Sequence, residues 1–197
     1  MMKPITIFSF LSVICLSFVP HQIGATRIIA LAPQASSTPI GIDLIQKICQ
    51  QSPAKDVCIS SLKSDPNSLK EDLKGLTMIA IRVASRNATD ISGHVKVLLD
   101  DDSMEPAVQQ GLNDCMESYL DATQQLDDSV VALLENSTKG IRARLDAAIA
   151  AADTCDDSLK GNEKLLRQKN LVFRQLCSNV LLFNKAMSPQ SALSTGA

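Results

Sequence analysis

Apolar residues recur at alternating steps of three and four along four long stretches of the chain, the spacing that keeps one face of a helix apolar. The first stretch runs Leu69, Leu73, Leu76, Ala80, Val83, Asn87 and Ile91 and reaches Leu98, with Asn87 occupying one seam position. Ser68-Leu69-Lys70-Glu71 at its head reads as a capping box, and Asp100-Asp101-Asp102 closes it. The second begins near Pro106, whose fixed φ suits a first helical turn, and carries Val108, Leu112, Cys115, Tyr119, Ala122, Leu126, Val130 and Leu133. After the turn Asn136-Ser137-Thr138-Lys139-Gly140, the third carries Ile141, Leu145, Ala148, Ala152, Cys155 and Leu159. Beyond Gly161-Asn162 the fourth carries Leu165 or Leu166, Lys169, Val172 or Phe173, Leu176, Val180, Phe183 and Met187. Short connections make successive helices antiparallel neighbours, and no stretch alternates as a strand does. The pattern predicts an all-α fold, an up-down-up-down antiparallel four-helix bundle over 67–187, with a looser array of helices as the alternative.

The region before the bundle divides in two. Ile42, Ile45 and Ile48 or Cys49 fit a short helix; Ser52-Pro53 breaks it, and Val57 to Leu62 fit a second. This is a small helical hairpin within an N-terminal segment, 26–66. Earlier still, Lys3 precedes an apolar run from Ile5 to Val19, and Ile23-Gly24-Ala25 offers a small residue for cleavage. Residues 1–25 therefore read as a secretory signal, the run being short of the ~20 apolar residues a spanning helix needs. The domain expected is 26–187, followed by a small-residue tail, 188–197. After signal removal no membrane association is expected, and the protein should be secreted.

Composition narrows the chemistry. A formal charge of −2 supplies no basic field for phosphates, which excludes nucleic acid as the expected partner. With 45% hydrophobic and 20% charged residues the chain is globular rather than disordered. The signal takes Cys15 and His21 with it, leaving His94 as the single histidine and five cysteines without a C-x-x-C pair. No metal site and no cofactor are expected. A hydrolase would have to use His94, which has no identified nucleophile beside it.

Five cysteines in an oxidising compartment permit two bridges and one leftover thiol, in fifteen arrangements. Cys49 and Cys58 flank the Ser-Pro turn. Cys115 and Cys155 sit on adjoining seams equidistant from residue 135, so antiparallel packing brings them level. Pairing Cys155 with Cys177 instead leaves a mismatch of ten residues about the turn at Gly161, or ~15 Å. Cys49–Cys58 and Cys115–Cys155 are favoured, with Cys177 a free buried thiol. In the chain-entropy description the short loop contributes roughly 2.7 kcal/mol and the long one roughly 4 kcal/mol.

Four blocks together are specific. They are Cys49-x8-Cys58 with Leu62 and Asp65-Pro66; Asp114-Cys115-x3-Tyr119-x-Asp121-Ala122-x3-Leu126; Ala147-Ala148-Ile149 leading into Asp153-Thr154-Cys155-x-Asp157; and Leu176-x-Ser178-Asn179. Over residues 42–187 the chain resembles the plant invertase and pectin methylesterase inhibitor family. The resemblance implies a secreted four-helix bundle behind a helical hairpin, with two disulfides and often a fifth, unpaired cysteine. It implies reversible one-to-one inhibition of a carbohydrate enzyme of the cell wall, apoplast or vacuole by occlusion of its cleft. It also departs from the family: Arg144-Leu145-Asp146 stands where a tryptophan is frequent. Some invertase inhibitors carry Pro-Lys-Phe in the loop between bundle helices two and three, where this chain has only Lys139. Pectin methylesterase is thus the favoured target and acid invertase the alternative, with a non-inhibitory secreted binding protein as the second alternative.

The family docks through bundle helices two and three. The exposed positions expected there are Glu117, Asp121, Gln124, Asp128, Lys139, Arg142 and Asp146, although such charges on a helix are ordinarily a solvated face. Tyr119, on the seam, is expected in the core. Asn87-Ala88-Thr89 and Asn136-Ser137-Thr138 are N-glycosylation sequons, the second in a turn.

Overall fold

The structure, a computed structural model, describes residues 40–101 and 103–188. The expected signal, most of the lead-in segment and nearly all of the tail lie outside them. Among the described residues six α-helices follow in order: α1 (Gly41–Cys49), α2 (Lys55–Lys63), α3 (Leu73–Leu99), α4 (Pro106–Leu134), α5 (Thr138–Ser158) and α6 (Arg167–Met187). Each long helix borders two others, α3 lying between α4 and α6 and α5 likewise, so α3–α6 close into an antiparallel four-helix bundle. One continuous core holds Leu76, Ile81, Ile91, Leu112, Tyr119, Leu126, Ile141, Leu145, Phe173 and Phe183, all at most 1% exposed.

The hairpin α1–α2 packs chiefly against α6 and α3. Cys49 is bonded to Cys58 across the Ser52-Pro53 turn. Buried Ser52 donates its hydroxyl to Asn179 Oδ1 of α6 at 2.8 Å, which fixes the hairpin to the bundle. Gly41 opens α1 at φ +56°, and a Cβ there would strike the Leu69 carbonyl.

The bundle's first helix starts later than its sequence suggests. Ser68 does not cap α3; it lies buried in a 3₁₀ turn, Pro66–Leu69, capped by Asp65, and Leu69 is 55% exposed instead of opening the seam. The cap is Asp72, whose carboxylate accepts from Gly75 N at 2.9 Å. The reason is tertiary: the Glu71 carbonyl accepts from Gly41 N at 3.0 Å, so the segment before Asp72 is spent on holding α1. On α3 the buried line is Ala80, Ala84, Ala88, Ile91 and Val95, leaving Val83 and Asn87 at its edge. On α6 the buried position is Asn170, not Lys169.

Candidate functional site

Helices α4 and α5 form the most closely packed pair of the bundle. Cys115 and Cys155 are bonded with their Cα atoms 4.4 Å apart, and Gly111 of α4 sits where a Cβ would meet the Ser158 carbonyl of α5. The turn joining the helices is itself well held. Ser137 N donates to Ala132 O at 2.8 Å and Ser137 Oγ accepts from Gly140 N at 3.1 Å, so α5 begins directly at Thr138. Asn136 adopts φ +56°, a left-handed conformation asparagine tolerates better than most residues, and its Oδ1 accepts from Lys74 Nζ of α3 at 2.8 Å.

On α4, Glu117, Asp121, Gln124 and Asp128 recur at steps of four, three and four and line one side. The first three are exposed and Asp128 is half-buried. Gln124 Nε2 donates to Asp128 Oδ1 at 3.1 Å. From α5, Arg144 Nη1 donates to Gln125 Oε1 at 3.1 Å and lies 3.4 Å from Asp128 Oδ2. Asp128 is therefore engaged within the fold, whereas the Glu117 and Asp121 carboxylates make no hydrogen bond or ion pair among the described residues. Exposed Ala143 and Ala147 supply little side chain on the α5 half of this flank.

The structure does not bring all the expected residues together. Arg144 reaches α4, and Arg142 and Asp146 stand two residues to either side of it, about 160° away around α5 at ~100° per residue. They share their side of α5 with Asp153, which binds Arg174 of α6 at 2.7 Å, and Lys139 lies nearer that side than the α4 side. The seven residues thus split into an acidic α4 stripe and a separate α5 edge turned toward α6. Sequence reasoning missed Gln125 and Arg144. Their signal was the register set by Cys115 and Cys155, whose numbers sum to nearly the same total as those of each Arg144 contact. It also missed three apolar side chains on the outside of α4: Leu120 at 58%, Val131 at 54% and Leu134 at 61% exposure.

A polar chain runs inward from the α5–α6 edge. Tyr119 donates its hydroxyl to Asn170 Oδ1 at 2.7 Å, and Asn170 Nδ2 donates to Asp156 Oδ1 at 2.6 Å. Arg174 Nη2 completes it against Asp156 Oδ2 at 2.6 Å. Tyr119 stacks edge-on against Phe173, ring centroids 5.2 Å apart. Burial pushes the Tyr119 phenol well above its usual pKa, with the Arg174 charge partly opposing. Burial likewise pushes up the thiol of Cys177, which is unpaired. The chain is structural, joining core to surface.

Other chemistry is sparse. Partial burial, and then the charge of Lys169, hold His94 below the ordinary imidazole value. Among the described residues no group of three or more His, Cys, Asp or Glu is placed to hold a metal ion, and no helix is long and apolar enough to cross a membrane. An open groove of about 260 Å³ between α3 and α4 is lined by Ile81, Arg82, Ser85, Arg86, Asp127 and Val130.

Comparison with known proteins agrees with this architecture. Residues 43–182 match the family described as plant invertase/pectin methylesterase inhibitor. The chain is similar to a pectinesterase inhibitor of Actinidia deliciosa, 29% identical over 147 residues, spanning 73% of this chain and 79% of that one. It is also similar to a putative invertase inhibitor of Platanus orientalis, 27% identical over 157 residues, spanning 75% and 92%. In fold it is similar to the crystal structure of a mutant form of a pectin methylesterase inhibitor from Arabidopsis. That match has a TM-score of 0.63 and 19% identity, and covers 72% of this chain and 95% of the other.

Proposed function

The chain belongs to the plant invertase/pectin methylesterase inhibitor family, and from that premise we propose that it is a secreted inhibitor of a pectin methylesterase, docking through the acidic side of α4. The family consists of enzyme inhibitors rather than enzymes, and its members act on carbohydrate enzymes of the cell wall or vacuole. On this reading it works by occupying the target's cleft in a reversible one-to-one complex. Passage to the apoplast follows from the apolar leader at residues 1–25.

The choice of target is carried by the α4–α5 turn. It lacks the Pro-Lys-Phe of some invertase inhibitors, and Ser137 caps α5 so early that Lys139 lies in the first helical turn instead of on a projecting loop. The acidic flank farther along α4 supports the same reading, since Glu117 and Asp121 are exposed carboxylates without a hydrogen bond or ion pair among the described residues and Leu120 offers apolar area next to them. Charge there steers encounter, while a central apolar anchor supplies much of the affinity. Acid invertase is the second reading, favoured by the similarity to the plane-tree protein and by the exposure of Lys139.

The test is titration of the oxidised mature chain into purified pectin methylesterase and acid invertase near pH 5 and pH 7. Saturable one-to-one loss of the esterase activity is expected. Glu117→Lys with Asp121→Lys should weaken it about tenfold or more, mainly through association rate, because the charge proposed to steer encounter is reversed. Reversal of Arg142 and Asp146, on the other side of α5, should leave it unchanged. Loss of invertase activity alone selects the second reading. No inhibition of either enzyme by a helical, folded protein returns the non-inhibitory binding role.

A further inference from the structure

The two sequons occupy very different settings. Asn136 is exposed at the end of α4, and only its Oδ1 is engaged, accepting from Lys74 Nζ. Its Nδ2, the atom a glycan would occupy, makes no hydrogen bond among the described residues, so a sugar there leaves the Lys74 contact intact. The turn's other bonds run through its backbone, the Ser137 hydroxyl and Asn184 Nδ2, which donates to the Thr138 carbonyl at 2.9 Å, and none uses the Asn136 nitrogen. Asn87, by contrast, lies midway along α3 and is half-buried, its Oδ1 sealed from solvent without a partner. Transfer takes place on the unfinished chain, so the folded state discriminates by which glycoform it accommodates. A branched sugar at Asn87 would have to emerge through the side of the packed bundle, whereas at Asn136 it emerges from its end.

A second observation points to the same place. Val131 and Leu134, more than half exposed, lie within two helical turns before Asn136 on α4. Among the described residues they are large apolar side chains left uncovered, five and two residues from the asparagine that would bear the first sugars.

We propose that Asn136, and not Asn87, carries an N-linked glycan, and that this glycan covers the α4–α5 end of the bundle, including Lys139. The end that an invertase-type contact through Lys139 would need is then occupied by carbohydrate, while the flank at Glu117 and Asp121, several turns away along α4, stays open. Occupancy of Asn136 rests on the secretory route alone; its consequence for docking rests on the inhibitory reading.

The experiment is to secrete the full chain from plant cells, release glycans with a peptide-N-glycosidase in heavy-oxygen water, and map peptides by mass. Conversion of Asn136 to labelled aspartate with Asn87 unchanged is expected. An unconverted Asn136, or a converted Asn87, overturns the assignment. For the covering, lysine acetylation at Lys139 is compared between the glycosylated protein and Thr138→Ala, which removes the sequon and keeps Asn136 and the Ser137 cap. Asn136→Asp serves as a second unglycosylated form, because aspartate tolerates the positive φ and keeps an acceptor for Lys74. Loss of labelling at Lys139 in the glycosylated protein alone is expected, and equal labelling in all three overturns the covering. Neither readout uses inhibition, so failure of the glycan proposal and failure of the inhibitory reading remain separate results.

Discussion

Replacing Tyr119 with phenylalanine deletes one oxygen from the middle of the bundle and nothing else. The ring keeps its edge-on contact with Phe173, so the packing contribution of the aromatic pair is retained. What is lost is the 2.7 Å hydrogen bond to Asn170 Oδ1, and Asn170 is fully buried, so that acceptor has no water to turn to. A buried acceptor left unpaired costs about 1–3 kcal/mol, more than the net worth of an average hydrogen bond. For a domain of this size that corresponds to a fall in Tm of roughly 2–12 °C. Urea and thermal unfolding followed by circular dichroism, with both disulfides intact, measure it directly. Asn170→Leu completes a double-mutant cycle. Because both variants break the same bond, the double variant should cost less than the two single losses combined. A loss below ~0.5 kcal/mol for Tyr119→Phe, or strict additivity in the cycle, would refute the role given to this bond. Target affinity at a temperature where the variant is folded should not change, since Tyr119 reaches no surface.

Further expectations follow from the cysteines. Removing Cys115–Cys155 by paired serine substitution should cost about 4 kcal/mol, and removing Cys49–Cys58 about 2.7 kcal/mol, because the loops they close differ in length. Urea midpoints compared under one condition check the order, and a costlier short loop contradicts it. Burial raises the Cys177 pKa in the folded state above the unfolded value of ~8.5, so its contribution to stability is full below that value and is lost as pH rises beyond it. Native protein should resist thiol alkylation at pH 8 until urea is added, and Cys177→Ala should flatten the fall in stability above pH ~9. Rapid labelling of the native protein contradicts the burial argument.

Much of the bundle was readable from spacing because its seams are nearly pure. Leu112, Cys115, Tyr119, Ala122 and Leu126 on α4, and Ile141, Leu145, Ala148, Ala152 and Cys155 on α5, are all buried where their three-and-four steps place them. Reading failed where a polar group belongs to the interior or where a distant segment decides a local choice. Asn170 is invisible to a search for apolar periodicity, and its burial is repaid by Tyr119 and Asp156, neither of which is near it in sequence. Ser68 and Asp72 are both competent caps, and the chain uses the second because Ser68 is taken into the 3₁₀ turn capped by Asp65 and the Glu71 carbonyl accepts from Gly41. The candidate surface was half readable for a similar reason. Each helix's exposed stripe follows from its own periodicity, but how α5 is rotated against α4 depends on contacts such as Arg144 with Gln125, which no single-helix pattern contains.

The bond between Cys115 and Cys155 acquires another meaning beside the tight turn at Asn136. Disulfide and turn lie about 30 Å apart along α4, so the two helices are joined covalently at both ends of that span and form a closed ring. Helices joined only by a loop can splay or slide, and a partner must then arrest that motion on binding. A ring cannot splay, and α4 reaches the encounter with its shape already set. The entropy that docking would otherwise consume has been removed during oxidation of the nascent chain, long before any target is met.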